Sequence, residues 1–386
     1  MLSITYIKFF EDIKSKGDEN MQKAVIIGFS HMHVNEVALY LSEQPEFTLV
    51  GAADVESSAE RIPPYRYTPL WNLENVRENY CNVIYDDYRR MLDELKPNIA
   101  FILSENIQKP EIVEECAKRG VDVCIEKPIA VSLDEAKKIQ ASVEKYNINA
   151  VVNWPVLWRG YVHKMKAAID SGVVGKPLKL RYINGHTGPL GKGAKHRGVT
   201  AQADEMSDAD RAKTWWHRKS NGGGVFLDIS CYGCLFARWF LGNDAESAYA
   251  YGTNLNTPFG DTEDNFAGII KYKDRMAVIE GTWTTPRVVI PSGPMMICTN
   301  GVITCTGGAE NNPDVKAFDI YGNEVELPDF PANEKYKNMP CHLAACKKSD
   351  EPIHEMLTLN ANVEVMAMMD ALINSSDSCS EVQISE

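Results

Sequence analysis

The chain has 386 residues, 44% hydrophobic and 24% charged, which excludes a disordered or collagen-like protein and predicts two or three domains. Forty basic residues against 53 acidic ones leave a net charge of −13, and no basic cluster interrupts the acidic background, so a nucleic-acid partner is not expected. No apolar run reaches membrane-spanning length, so no membrane partner is expected either. The ten cysteines are scattered, several of them inside apolar runs, which reads as free thiols in a reducing, cytoplasmic compartment.

Residues 1–20 resemble neither a signal peptide nor an anchor, because Lys8 breaks their apolar stretch and Glu11 and Asp12 close it. Lys16-Gly17-Asp18-Glu19-Asn20 is what a purine-rich ribosome-binding site would encode if read in frame. The stretch is expected to be a non-native or disordered extension, with Met21 as the start.

From residue 21 to about 152 strand and helix signals alternate. Ala24–Ile27 is a short apolar run ending at Gly28, and Val34, Val37, Ala38 and Leu41 recur on one helix face. Strands are expected again at Thr48–Ala53, Ile99–Leu103, Val121–Ile125 and Asn149–Asn153. Helices are expected around Asp87–Leu95, at Ile112–Arg119 and after Ser132, whose pairing with Glu135 has the form of a capping box. Repeated β-α units of this size predict a doubly wound parallel sheet with helices on both faces. The Pro- and Tyr-rich stretch Glu56–Tyr80 reads as a surface loop.

Residues 153–345 read as an α+β domain with an open, mostly antiparallel sheet. Leu178–Asn184, Phe266–Tyr272 and Met276–Thr284 are strand-like. Asn300-Gly301 and Gly322-Asn323 each mark a hairpin turn. Residues 346–386 return to helical periodicity and a last strand, completing the fold. No internal repeat is present.

Gly28 sits where a dinucleotide-binding strand makes its first turn, although Gly28-Phe29-Ser30-His31-Met32-His33 keeps only the first glycine of that fingerprint. Ser30 can donate to phosphate. Asp54, at the end of the second strand, suits the ribose hydroxyls and would repel a 2′-phosphate, which favours NAD over NADP. His31 and His33 form no metal site by themselves, since no third ligand lies nearby in the pattern, and no metal is expected.

Glu126-Lys127-Pro128 after a strand, then Gly222-Gly223-Gly224 with Asp228 downstream, together with the strand order, resemble the Gfo/Idh/MocA family of glucose–fructose oxidoreductases and inositol dehydrogenases. The resemblance runs from about Lys23 to the C-terminus. It implies a Rossmann domain, a second domain with an open sheet, and an active site between them. It also implies hydride transfer between a nicotinamide and a sugar, polyol or related ring, and a homodimer or homotetramer formed through the open sheet face. Lys127 falls on the family's lysine near nicotinamide and substrate, Asp228 on its aspartate, and Tyr232 on a position that is histidine in many members. Ser104 and Asn106, with Glu126, fall on the loops lining the cofactor, beside Gly28, Ser30, His31, Met32 and Asp54. Ser30, His33 and Glu105 depart from the family's pattern.

These residue types suit alcohol oxidation, which needs a base for the hydroxyl proton while hydride leaves carbon. Lys127 is expected to have a lowered pKa through partial desolvation and the nicotinamide's charge. Asp228 and Tyr232, spaced i, i+4, are expected on one helix face, with the phenol as acid/base. Trp154, His186, Trp216 and Arg218, with Asp228, are the substrate-side candidates. Trp158, Tyr161, His163, Trp215 and His217 are softer ones, and Gly185–Gly198 reads as a mobile loop over the site. Cys231 and Cys234 lie in an apolar helix and read as packing. Two rival functions share this sequence pattern: an NAD-dependent glycosidase working by transient oxidation and elimination, and a non-catalytic dinucleotide-sensing regulator.

Overall fold

The computed structural model describes residues 21–385 apart from 58, 61, 192, 287–291, 307–312 and 331–332. The proposed extension 1–20 lies outside the described residues.

The first half is a six-stranded parallel sheet, in the order β3-β2-β1-β4-β5-β6. Its strands are β1 (Gln22–Ile27), β2 (Phe47–Ala53), β3 (Ile84–Tyr85), β4 (Ile99–Ile102), β5 (Asp122–Glu126) and β6 (Ala150–Asn153). β1, β4 and β6 are buried along almost their whole length, which is why they read as apolar runs rather than alternating strands. Helices α1 (Val34–Glu43), α3 (Tyr88–Leu95), α4 (Lys109–Ala117) and α5 (Leu133–Tyr146) connect them. The strand order reverses between β1 and β4, and at that point a doubly wound sheet opens a crevice beyond its carboxyl ends.

The expected surface loop at 56–80 is instead largely a helix, α2 (Pro69–Asn79). Thr68 and Pro69 start it, and buried Asn72 donates to the Phe29 and Tyr67 carbonyls. Its apolar face is narrow, so periodicity did not reveal it.

The second half follows α6 (Gly160–Asp170), β7 (Pro177–Gly185) and α7 (Asp208–Lys213). A π-turn at Phe226–Ser230 then runs into α8 (Cys231–Leu241). Strands β8 (Ser247–Thr253), β9 (Asn265–Lys271), β10 (Met276–Thr282), β11 (Gly293–Cys298), β12 (Gly301–Thr306), β13 (Asp314–Asp319) and β14 (Glu324–Val325) come next. Helices α9 (Met339–Ser349) and α10 (Leu359–Ser378) precede β15 (Val382–Gln383). The nine-stranded sheet is ordered β14-β13-β12-β11-β7-β10-β9-β8-β15. It is mixed, since β7 and β10 pair in parallel. The first hairpin turns at Thr299-Asn300, one residue earlier than expected, because their N–H groups donate to Lys176 and Val174.

The stretch Lys219–Leu241 is long and apolar enough by length and composition to cross a membrane, contrary to the sequence expectation, although Gly222 and Gly224 at positive φ break its helix near the start. It is 83% buried within the protein, as the core helix under a sheet would be. Trp154 is buried and donates to Asn362 of α10 at 2.7 Å, so it ties the two halves together.

Three histidines share one buried pocket between α6, α9 and the turn before α10. His342 Nε2 accepts from the His354 backbone, and His163 Nε2 donates to Leu157 O. Burial depresses all three, His342 to about 4 and His354 to about 3. Their folded values lie below the ordinary 6.5, so their contribution to stability is present above pH 6.5 and is lost as pH falls toward 4. About 2 kcal/mol from each of His342 and His354 should disappear between pH 7 and 5, with His163 acting in the same direction. Urea midpoints measured across that window should fall steeply, and less so in His342→Gln. An unchanged midpoint would remove the cluster from the account.

Candidate active site

Glu126 ends β5 and Lys127 follows it, with a cis bond to Pro128. The segment is strapped from below by Lys109, which is fully buried at the start of α4. Its ammonium donates to Asn106 Oδ1 at 2.7 Å, Glu126 O at 2.6 Å and Pro128 O at 2.7 Å. Burial pulls Lys109 down to about 7. Three acceptors at hydrogen-bond distance match the three protons of a charged ammonium, so the charged form fits the site best.

Lys127 crosses to the second domain. Its Nζ donates to Asp228 O at 2.5 Å, lies 3.6 Å from Asp228 Oδ1, and sits over the Tyr232 ring at 4.9 Å from its centre. Burial works to lower this lysine, but Cys231, Asp228 and Glu126 outweigh it and leave it above its ordinary value. The lowering expected from desolvation is therefore outweighed in the protein alone, where the neighbouring groups favour the ammonium form; the nicotinamide's charge, the other part of that expectation, acts only when the cofactor is bound. Asp228 is the reverse case. Burial raises it, yet His186, Lys127 and Trp283 hold its carboxyl well below the usual range.

Asp228 and Tyr232 do not share a regular α-turn, because the π-turn intervenes. The i, i+4 reading assumed a continuous α-helix. The two residues meet through Lys127, and the phenol's ring face, packed edge-on against Trp154, serves as a platform for the ammonium.

His186 Nε2 lies 3.1 Å from Asp228 Oδ2, and Trp283 Nε1 donates to the same oxygen at 3.0 Å. Parallel pairing of Thr282 with Gly185 brings these two rings off adjacent strand ends. Trp283 was missed, since nothing in its local sequence distinguishes it. Lys109 was missed for the same reason.

The loop after β1 carries Gly28 at φ +88°, and a Cβ there would lie 2.8 Å from Ser104 Cα. Ser30, His31 and Met32 are buried, as are Ser104 and Asn106 on the facing loop. Asp54 ends the neighbouring strand, with its Oδ1 accepting from Val55 N. Elements of the second domain close this crevice. Trp215 Nε1 donates to Ser30 O at 3.0 Å, Trp216 stacks on Trp215 and meets the edge of His31, and Asn106 Nδ2 donates to Gly222 O. Glu105 bonds Ser57 and Asn221, and burial raises its pKa. Trp216 is thus packed on the first-domain loop, and Arg218 lies near Glu60, 3.8 Å away, rather than beside Asp228. Of the segment read as a mobile loop, His196 packs against His33 and Tyr67, and Gly198 against the backbone of Asn35.

A third potential ligand does join His31 and His33: Glu126, from β5, brings three ligand atoms within 4.8 Å. Charge and tautomer work against a cation. His33 Nδ1 already pairs with Glu126 at 3.1 Å. His31 Nδ1 accepts from the His33 backbone, which leaves Nε2 carrying the hydrogen, buried and without a partner. Lys127 and Lys109 both bear on that ring. A buried unpaired donor at a helix start flanked by ammonium groups suits an anion.

Residues 22–153 match the oxidoreductase family with an NAD-binding Rossmann fold, and residues 162–304 match the GFO/IDH/MocA C-terminal domain. The chain belongs to the Gfo/Idh/MocA oxidoreductase family. The scyllo-inositol 2-dehydrogenase (NAD(+)) of Bacillus subtilis is 23% identical over 363 residues, covering 90% of this chain and 92% of that protein. The uncharacterized oxidoreductase YrbE of Bacillus subtilis is 25% identical over 243 residues, 60% of this chain and 64% of that protein. Among solved structures, the WlbA dehydrogenase from Bordetella pertussis, in complex with NADH and UDP-GlcNAcA, superposes with a TM-score of 0.71 at 17% identity over 95% of this chain and 99% of that one. The NAD-binding Rossmann domain of this family member fits the cofactor on its own features: the Gly28 turn, the orphaned His31 donor at the start of α1, and Asp54 at the end of β2.

Proposed function

We propose that this chain transfers a hydride between NAD and a secondary alcohol of a sugar, polyol or glycoside. The observation that carries this reading is the buried Lys127–Asp228 pair at the carboxyl end of β5, where a Rossmann crevice meets the second domain. Similarity to an NAD-dependent inositol dehydrogenase over most of the chain supports it.

NAD, when bound, supplies the hydride acceptor. The protein's part is binding and proton handling. The backbone N–H groups of the Ser30–His33 turn and His31 Nε2 would meet the pyrophosphate, and Asp54 the ribose. Asp54 and nearby Glu105 both disfavour an added 2′-phosphate, which supports NAD over NADP. The Lys127 ammonium would bind the reacting oxygen, stabilising an alkoxide during oxidation and polarising a carbonyl during reduction. Lys127 and Asp228 are both buried, so the pair acts at low dielectric.

A sugar, polyol and glycoside screen with NAD and NADP, followed by NADH or NADPH absorbance, tests the reading. NAD-linked reduction with a polyhydroxylated substrate is expected. Glycoside cleavage without net NADH would favour the oxidation–elimination alternative, and no turnover of either kind would sink the enzymatic reading.

The second domain's outer sheet face supports self-association. Tyr249 on β8 pairs with Ile269 on β9, Ile269 with Val278, and Val278 with Arg181, forming one outward row. Tyr249, Tyr251 and Ile269 are exposed. The wild type should elute as a homodimer or homotetramer, and Ile269→Lys should shift it toward monomer. A monomeric wild type would refute this. The ten free cysteines fit the cytoplasmic location proposed for the protein.

A further inference from the structure

The buried pair leaves the oxidation reaction without an evident base. Lys127 Nζ donates to Asp228 O and lies 3.6 Å from the Asp228 carboxylate, so it sits there as a donor and a cation, and its neighbours raise its pKa further. Asp228 is held as a carboxylate too weak to deprotonate an alcohol. The Tyr232 ring lies beneath the ammonium.

The Cys231 thiol also touches Asp228, at its carbonyl, but burial pushes it up to about 12, which leaves His186 as the titratable group against the Asp228 carboxylate. A carboxylate only accepts, so the 3.1 Å contact with Asp228 Oδ2 fixes the hydrogen on His186 Nε2. Nδ1 then bears the lone pair, and it has no hydrogen-bond partner among the described residues. The His186 side chain is 21% exposed, whereas those of Lys127 and Asp228 are 3% and 10% exposed. Trp283 braces the same carboxylate oxygen from the adjacent strand. The charged and titratable groups facing the pair are Lys127 from β5 and Cys231 beside the π-turn, with His217 coupled to Asp228 and, beyond it, Arg211 and Asp264.

We propose that His186 is the general base of this site, with Asp228 as the group that sets its tautomer and stabilises its protonated form. This rests on the oxidoreductase reading above. In oxidation, the substrate O–H bond breaks and its proton bonds to His186 Nδ1. The carbon–oxygen double bond forms as the C–H electron pair leaves as hydride to NAD. The imidazolium then passes the proton to water at its exposed edge. Lys127 keeps its proton throughout and carries the negative charge that builds on oxygen.

The first test needs no substrate. Nitrogen NMR of the histidine side chains in cofactor-free protein, with the His186 signal assigned by its loss in His186→Gln, should show the Nε2–H tautomer. In Asp228→Asn the preference for that tautomer should weaken, because an amide can donate as well as accept. An Nδ1–H tautomer in the wild type, or an unchanged tautomer ratio in Asp228→Asn, would overturn the dyad. The second test is kinetic. His186→Gln should lower kcat about 10²- to 10³-fold with KM little changed, lose the acidic limb of the kcat/KM profile, and recover with added imidazole. Raised KM with the limb retained would make His186 a substrate contact and refute the base assignment alone. A wild type that oxidises no alcohol refutes the oxidoreductase reading and the base together. Circular dichroism of the variant, and the same assays on His186→Asn, separate misfolding from lost chemistry.

Discussion

Lys127→Met is expected to lower turnover by about 10²- to 10⁴-fold while the protein remains folded and still binds NAD. The methionine preserves length and most of the apolar contact with the Tyr232 ring. It removes the charge that meets the reacting oxygen and the donor to Asp228 O. It also removes one of the groups that hold the Asp228 carboxylate down, so that pKa should rise and the activity that remains should shift its pH dependence to higher pH. The measurements are kcat and KM across pH, with NAD affinity by titration calorimetry. Near-normal kcat with intact NAD binding would show that the reacting oxygen does not meet this ammonium.

Lys109→Met should have the largest effect on stability. It deletes a fully buried charge and leaves Asn106 Oδ1, Glu126 O and Pro128 O without their donor. Breaking a buried charged network of this kind costs about 3–5 kcal/mol. For a protein of this size that is roughly a 5 °C fall in Tm. Because the same three acceptors hold the segment from Asn106 to Pro128, Lys127 should lose its position and activity should fall with stability. Calorimetric melting and turnover at low temperature together check this. A wild-type Tm would mean that the cavity rehydrates and satisfies the carbonyls.

The two sites differ in how far they could be read from sequence. The place of Lys127 was legible because a strand, a lysine and a proline in succession mark the end of β5, and its expected role was what the family resemblance implies. Lys109 was not, because its role depends on carbonyls 17 and 19 residues away that only folding brings beneath it. The same holds for Trp283, and for the contact between Asp228 and His186, which the sequence offered only as a substrate-side candidate. The two rings meet at Asp228 because β7 and β10, far apart in the chain, pair in parallel. The expected lowering of the Lys127 pKa reversed for a related reason, since burial could be inferred from its place at a strand end, but Asp228 and Cys231 arrive from another element to join Glu126 beside it.

Local pattern determined the alternating β-α units and the Gly28 turn, since each depends on side-chain period or on short-range backbone geometry, whereas the roles expected of Lys127 and Asp228 are what the resemblance to the family implies. Tertiary structure alone decided that α2 replaces a loop, that a π-turn separates Asp228 from Tyr232, and that Glu126 joins the two histidines. It also decided which charges face which inside a water-poor crevice. Protonation states there depend on distances between groups contributed by different strands, and those distances are set by packing.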